Sequence, residues 1–201
     1  MMFVKRRLLA AMAAIAAGFA MSGRNAFSLG RKTFRQKEGH AMQIYLAGPL
    51  GFSEAGMAFH RNTIIPEVER LGHQPLDPWQ LTPQSKIDAV MKMPYGPERR
   101  DAWRKLNREI GANNRAAIDR CDLVFAVLDG TDVDSGTASE IGYAFARGKP
   151  ILGYRGDFRL SSDNDGGIVN LQVEYFIRQS GGTIIRSFAD FAKALADIKI
   201  P

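Results

Sequence analysis

The sequence predicts an α/β fold, a flavodoxin-like doubly wound sheet of five parallel strands with helices on both faces. Short apolar runs, chiefly Gln43 to Ala47, Leu123 to Leu128 and Pro150 to Tyr154, alternate with longer stretches whose apolar residues recur at helical spacing. Parallel strands joined by right-handed crossovers fall naturally into such an order. A chain of 201 residues that is 45% hydrophobic, with no repeat and no low-complexity tract, suits one compact domain plus an appendage.

Gln43 to Ala47 reads as the first strand, and Glu54 to Leu71 as a helix stopped at Gly72. Gln74 to Leu76 is a short strand ended by Asp77-Pro78. Gln80 to Pro97, punctuated by Pro83, Pro94 and Pro97, is expected to be an irregular flap over the crevice. Arg99 to Arg120 is a charged amphipathic helix feeding the strand at Leu123, and a helix starting near Thr137 runs to Arg147. The strand Pro150 to Tyr154 precedes a polar loop, Arg155 to Gly167. A helix from Val169 to Gln179, a last strand from Thr183 to Ile185 and a closing helix from Phe188 to Ile198 complete the domain.

Residues 1–41 form the appendage, and 42–201 the domain. Met1 to Lys37 holds no Asp or Glu but carries Lys5, Arg6, Arg7, Arg24, Arg31, Lys32, Arg35 and Lys37, which more than accounts for the net charge of +6. The domain itself is close to neutral, so the basic balance does not imply a nucleic-acid surface. The apolar run Leu8 to Met21 follows a basic cluster, precedes Ser22-Gly23 and is short for a bilayer span. It has the layout of a secretory signal, with an organellar transit peptide as second reading and a start placed too far upstream of Met42 as third. The single Cys121 excludes an intrachain disulfide and suits a buried thiol.

The run from Asp129 to Pro150 is the most informative. It places Asp129, Asp132 and Asp134 with Gly130 and Gly136 between an apolar strand and a helix that carries Glu140. Ligands of open α/β sheets bind at such strand ends, and paired carboxylates serve glycosidic chemistry, one attacking the sugar and the other managing a proton. Two plainer readings compete. Thr137-Ala-Ser-Glu140 fits a capping box, and the three aspartates fit a polar turn. A second glycine-marked strand end, Gly48-Pro-Leu-Gly51 before Phe52-Ser-Glu54, is expected beside the first, and together they define a crevice. That loop lacks the Lys-Ser/Thr ending of a P-loop and the full dinucleotide spacing, and His60 and His73 have no metal-ligand spacing, so no cofactor and no metal is expected. Arg155, Asp157 and Arg159 could rim the entrance, although solvated charge is the plainer reading.

Four separated stretches, Ile44 to Glu54, Cys121 to Gly130, Asp134 to Ala144 and Gly148 to Arg159, resemble the nucleoside 2-deoxyribosyltransferase family, in order from about Met42 to the C-terminus. The resemblance implies a catalytic set of Glu140 as the nucleophile attacking C1′ of a deoxyribose, Tyr45 orienting it, and Asp134 contacting and protonating the departing base. It implies substrate contacts from Asn170, contributed by a neighbouring subunit of a homo-oligomer, and from the position of Asn114; Gly48, Asp129, Ser135 and Gly136 on the two loops, and Phe52 as a ring on which a base could stack, are the further candidates for substrate contact. Nucleoside and nucleobase would be the partners, and nucleotide salvage would place the protein in the cytoplasm unless residues 1–41 target it elsewhere. One departure is visible. Where many relatives carry an Asp, this chain has Asn114, with Asn113 as a register-shifted alternative; an amide can hold a hydroxyl or a base edge but cannot be an anionic base. A hydrolase of nucleosides or their 5′-monophosphates, using Ser53, Ser135 and nearby amides as phosphate donors, and a non-catalytic nucleotide-binding module are the alternatives.

Overall fold

The structure is a computed structural model that describes residues 41–200. The appendage read in residues 1–41 lies outside the described residues, Ala41 excepted. Five strands form one parallel sheet: β1 (Gln43–Ala47), β2 (Gln74–Leu76), β3 (Leu123–Val127), β4 (Ile151–Tyr154) and β5 (Ile184–Ile185), in the order β2-β1-β3-β4-β5. This is the doubly wound arrangement expected. β1 pairs with β2 on one side and β3 on the other, so the direction of winding reverses at β1.

Alternation along the strands divides the core into two layers. Ile44 and Leu46 of β1, with Leu123, Phe125 and Val127 of β3, face one layer; Tyr45 and Ala47, with Val124, Ala126 and Leu128, face the other. The first layer is closed by α1 (Glu54–Phe59), α2 (Ile65–Arg70) and α7 (Phe191–Asp197), which contribute Ile64, Val68, Phe191 and Leu195 from these helices and their junction. The second is closed by α4 (Pro97–Arg120), α5 (Ser135–Ala146) and α6 (Leu171–Gln179), which supply Ala117, Ile118, Ile141, Val173 and Ile177. Complete burial of a side chain such as Phe125 is worth about 1.5–3 kcal/mol. Asp122 fixes the sheet's lower edge, accepting from the Gln43 amide at 2.7 Å.

Two elements differ from the sequence reading. The helix over Glu54 to Arg70 is continuous but contains a wide π turn at His60–Ile64, with the Ile65 amide donating to the His60 carbonyl. Pro66 follows directly; it has no amide hydrogen for residue 62 and its ring crowds that carbonyl, and a local widening accommodates both. The segment Gln80 to Pro97 is not wholly irregular. Gln84–Met91 forms α3, started after Pro83 and tied to α4 by the Lys86–Glu109 ion pair. Among the described residues no helix is long and apolar enough to cross a membrane.

Candidate active site

The loops after β1 and β3 leave adjacent strands at their carboxyl ends and lead to helices on opposite faces, which opens a crevice between them. After β1 the chain turns through Gly48 and a 3-10 turn at Leu50–Phe52. A β-carbon on Gly48 would lie 3.0 Å from Val127 Cβ, so glycine lets the two loops approach. Gly51 is closed more tightly, because its missing β-carbon would lie 2.2 Å from Trp79 Cε2. Phe52, 75% exposed, meets the same indole edge-on at a centroid distance of 4.9 Å. It borders an open groove of about 650 Å³ lined by Gly51, Ser53, Met57 and Arg61 among others; neither Tyr45 nor Glu140 lines it.

Alternation turns Tyr45 toward α5, and there its hydroxyl donates to Glu140 Oε1 at 2.6 Å. Tyr45 is completely buried, and a buried hydroxyl without a partner costs about 1–3 kcal/mol, so the pair is mutually fixed. Glu140 Oε2 makes no hydrogen bond within the described residues. Burial raises the Glu140 carboxyl above its ordinary range; the Tyr45 hydrogen bond opposes this, and the neighbouring Asp134 charge adds to it. The Tyr45 phenol is pushed well up, first by burial and then by the Glu140 charge.

Asp134, not Thr137, caps α5. Its Oδ2 accepts from the Thr137 amide at 2.9 Å and from Thr137 Oγ1 at 3.1 Å, while Oδ1 makes no hydrogen bond within the described residues. The helix therefore begins at Ser135, and Glu140 is its sixth residue, in the second turn. The capping-box reading of Glu140 fails for this reason: its carboxylate reaches Tyr45 across the layer, not the Thr137 amide. The dipole of the helix start acts chiefly on Asp134, since that effect fades beyond the first turn.

The remaining expected residues are placed variously. Ser135 and Gly136 are exposed on the first turn of α5, and the Ser135 carbonyl accepts from Ser139 Oγ at 2.8 Å. Asp129 Oδ1 accepts from the Asp157 amide at 2.8 Å, binding the β3 loop to the loop after β4. Asn113 is committed to the segment before α3, donating to Leu81 O at 3.3 Å and Thr82 Oγ1 at 3.0 Å, whereas the buried Asn114 Oδ1 has no partner. Of the two amides, Asn114 is thus the one with a buried, unpaired carbonyl oxygen. Asn170 caps α6, accepting from the Gln172 and Val173 amides at 3.1 and 3.3 Å, so its carbonyl oxygen is engaged within its own chain.

Two features went unread in the sequence. Arg155 is fully buried, which overturns its reading as solvated charge. His60, in the π turn, is buried with Asp77, its Nε2 standing 3.1 Å from Asp77 Oδ1 without the angle of a well-formed hydrogen bond. Burial alone would raise the Asp77 carboxyl, but the His60 contact, the Trp79 amide and the Gln80 side chain together hold it below its ordinary value. An isolated His and an Asp before Pro carry no sequence signal that they will meet.

A doubly wound parallel sheet with a tyrosine-held carboxylate beside its winding reversal places the molecule among the open α/β proteins. The chain belongs to the nucleoside 2-deoxyribosyltransferase family, whose model matches residues 44–172. An uncharacterized protein of Schizosaccharomyces pombe is 30% identical over a stretch covering 45% of this chain and 63% of that protein, so the chain spans under two thirds of its relative's length. Among solved structures, a conserved protein of Enterococcus faecalis V583 superposes with a TM-score of 0.58 at 22% identity, covering 78% of this chain and 98% of its own. A 2-deoxyribosyltransferase of Leishmania mexicana gives 0.51 at 24% identity, covering 77% and 95%. One of Bacillus psychrosaccharolyticus gives 0.50 at 23%, covering 79% and 98%. These likenesses establish the fold.

Proposed function

We propose that this protein is a nucleoside 2-deoxyribosyltransferase, which moves a 2-deoxyribosyl group from one nucleobase to another through a covalent intermediate on Glu140. The observation that carries the reading is the 2.6 Å Tyr45–Glu140 hydrogen bond, which immobilises one carboxylate oxygen and leaves the other unpartnered. In the first half-reaction Glu140 Oε2 bonds to C1′, the C1′–N bond breaks with its electron pair passing to the base, and Asp134 supplies the proton that neutralises that base. An incoming base then attacks C1′, its proton passes to Asp134 and the glycosyl ester breaks, with net retention. Asn114, through its unused carbonyl oxygen, is the proposed acceptor for a substrate hydroxyl or amine. The family resemblance adds a neighbouring subunit at the sugar pocket, reached through Asn170.

The cap at the start of α5 favours a nucleoside over its 5′-monophosphate. The Thr137 amide is already taken by Asp134 Oδ2, which leaves the start of α5 one donor fewer for a phosphate. The test is incubation of the full-length protein with 2′-deoxyinosine, with and without free adenine, followed by chromatography. Formation of 2′-deoxyadenosine only when adenine is present is the expected result. Release of hypoxanthine without exchange would replace transfer by hydrolysis, and turnover of 2′-deoxyinosine 5′-monophosphate in preference to the nucleoside would overturn the argument from Asp134.

A further inference from the structure

We propose that Arg155 is a positioning residue whose buried guanidinium fixes the exit of β3 and thereby the place from which Asp134 is presented. Its catalytic consequence rests on the transferase reading above. Arg155 directly follows β4 and is fully excluded from solvent, the largest side chain so buried among the described residues. No ion pair among the described residues includes it, and its Nε has no partner. A cation buried without a carboxylate partner is costly, so what it holds is informative.

It holds two carbonyls. Nη1 donates to the carbonyl of Leu128, the buried residue directly after β3, and Nη2 donates to Arg159 O at 3.1 Å. The fork therefore joins the loops that leave the neighbouring strands β3 and β4. Directly beside it the two loops exchange backbone contacts: the Asp157 amide donates to Asp129 Oδ1 at 2.8 Å, and the Gly130 amide donates to Asp157 Oδ2 at 3.3 Å. Asp157 is itself gripped by Arg159, and its carbonyl accepts from Arg186 Nη2 at 3.1 Å. Its carboxyl is held far below the ordinary range, chiefly by Arg159 with Arg155 among the other cations. At Gly156 a β-carbon would lie 2.3 Å from the Tyr154 hydroxyl oxygen, so this turn has little room to shift. The guanidinium, the paired aspartates and the packed turn form one clamp on the segment that leads to Asp134 and α5. A lysine could reach only one of the two carbonyls as a point donor, because the fork is particular to arginine.

The test compares wild type with Arg155→Met, Arg155→Lys and Asp157→Ala in the full-length chain, by two readouts. Amide hydrogen exchange at Gly130 and Asp157 should accelerate about tenfold or more in Arg155→Met while β1 and β3 stay protected. Turnover of 2′-deoxyinosine should fall on the order of 10- to 100-fold, the scale of a displaced catalytic group. Turnover of 7-methyl-2′-deoxyguanosine, whose cationic base departs without receiving a proton, should fall much less, because Asp134 is the group displaced. Arg155→Lys should lie between wild type and Met on both readouts. Should Arg155→Met not fold, Asp157→Ala removes the acceptor of the Gly130 amide and the grip of Arg159 with the buried cation retained, and the same pattern is expected at Gly130 and in turnover. Unchanged exchange at Gly130, or equal losses on the two nucleosides, would overturn the proposal. A wild-type protein inert to both nucleosides would reject the transferase reading, and the exchange comparison would then decide the clamp by itself.

Discussion

Tyr45 and Glu140, 95 residues apart in sequence, are joined by one 2.6 Å hydrogen bond between the middle of β1 and the second turn of α5. Strand alternation delivers the phenol to the α5 face, and helix α5 delivers the carboxylate to the same depth. Tyr45 is buried and Glu140 half-buried, and each changes the other's proton affinity.

Glu140→Ala should abolish transfer with the fold retained, at a stability cost of about 1–3 kcal/mol for the Tyr45 hydroxyl left without its partner. Glu140→Gln sharpens the test. Burial raises the folded-state carboxyl above its unfolded value, so the stability that Glu140 lends is present below the unfolded pKa of ~4.3 and lost as pH rises through the folded value. Glutamine carries no such loss. Thermal unfolding should therefore show Glu140→Gln above wild type near pH 7, with the difference closing toward pH ~4. A difference that widens on acidification would contradict the assigned direction.

Tyr45→Phe removes the hydrogen bond that lowers the Glu140 carboxyl. The acidic limb of the pH–rate profile should move upward, because more of the nucleophile is protonated at a given pH. A hydrogen bond to a charged group is worth about 1.5–3 kcal/mol, so neutral-pH turnover should fall on the order of 10- to 100-fold. The comparison is one of pH profiles for the two proteins; an unshifted limb would remove Tyr45 from the ionisation of Glu140.

Asp134→Asn and Asp134→Ala should separate two duties of one side chain. Asn is as good a helix cap as Asp, whereas Ala loses about 1 kcal/mol. Only the Ala variant should melt lower, yet both should lose the proton transfer, on the order of 10²- to 10⁴-fold in turnover of an unactivated nucleoside. Melting curves beside rate measurements check the split, and full activity in either variant would take Asp134 out of the chemistry.

Gly51→Ala should disturb the crevice wall without touching the carboxylates. The new methyl would stand 2.2 Å from Trp79, so the indole must move and carry its edge contact with Phe52 along. Forcing a methyl into such a contact costs about 1–3 kcal/mol. A shift in tryptophan emission together with a lower melting temperature is expected; an unchanged spectrum would mean that the loop yields instead of the ring.

The strands were legible because β-branched and aromatic runs such as Leu123 to Val127, buried on both faces, have no other stable home. The crevice was legible because glycine-marked loops follow two such runs. The start of α5 was not, because Thr137-Ala-Ser-Glu140 imitates a capping box while a better acceptor, Asp134, stands three residues earlier. Helix α3 was hidden by prolines that flank it instead of breaking it, Pro83 at its cap and Pro94 beyond its end. Arg155 was missed because charged side chains are seldom fully buried, and no local pattern marks the exception.

The Asp134 cap has a consequence for the rhythm of the proposed cycle. The carboxylate that anchors the first turn of α5 is also the group that would gain a proton from an incoming base and give it to a departing one. A protonated carboxyl is a weaker acceptor for the Thr137 amide than a carboxylate. Once in each round of exchange the helix would thus tighten and slacken at its first turn, a pulse of local order timed by the chemistry, and Thr137 would be the residue whose amide signal beats with it.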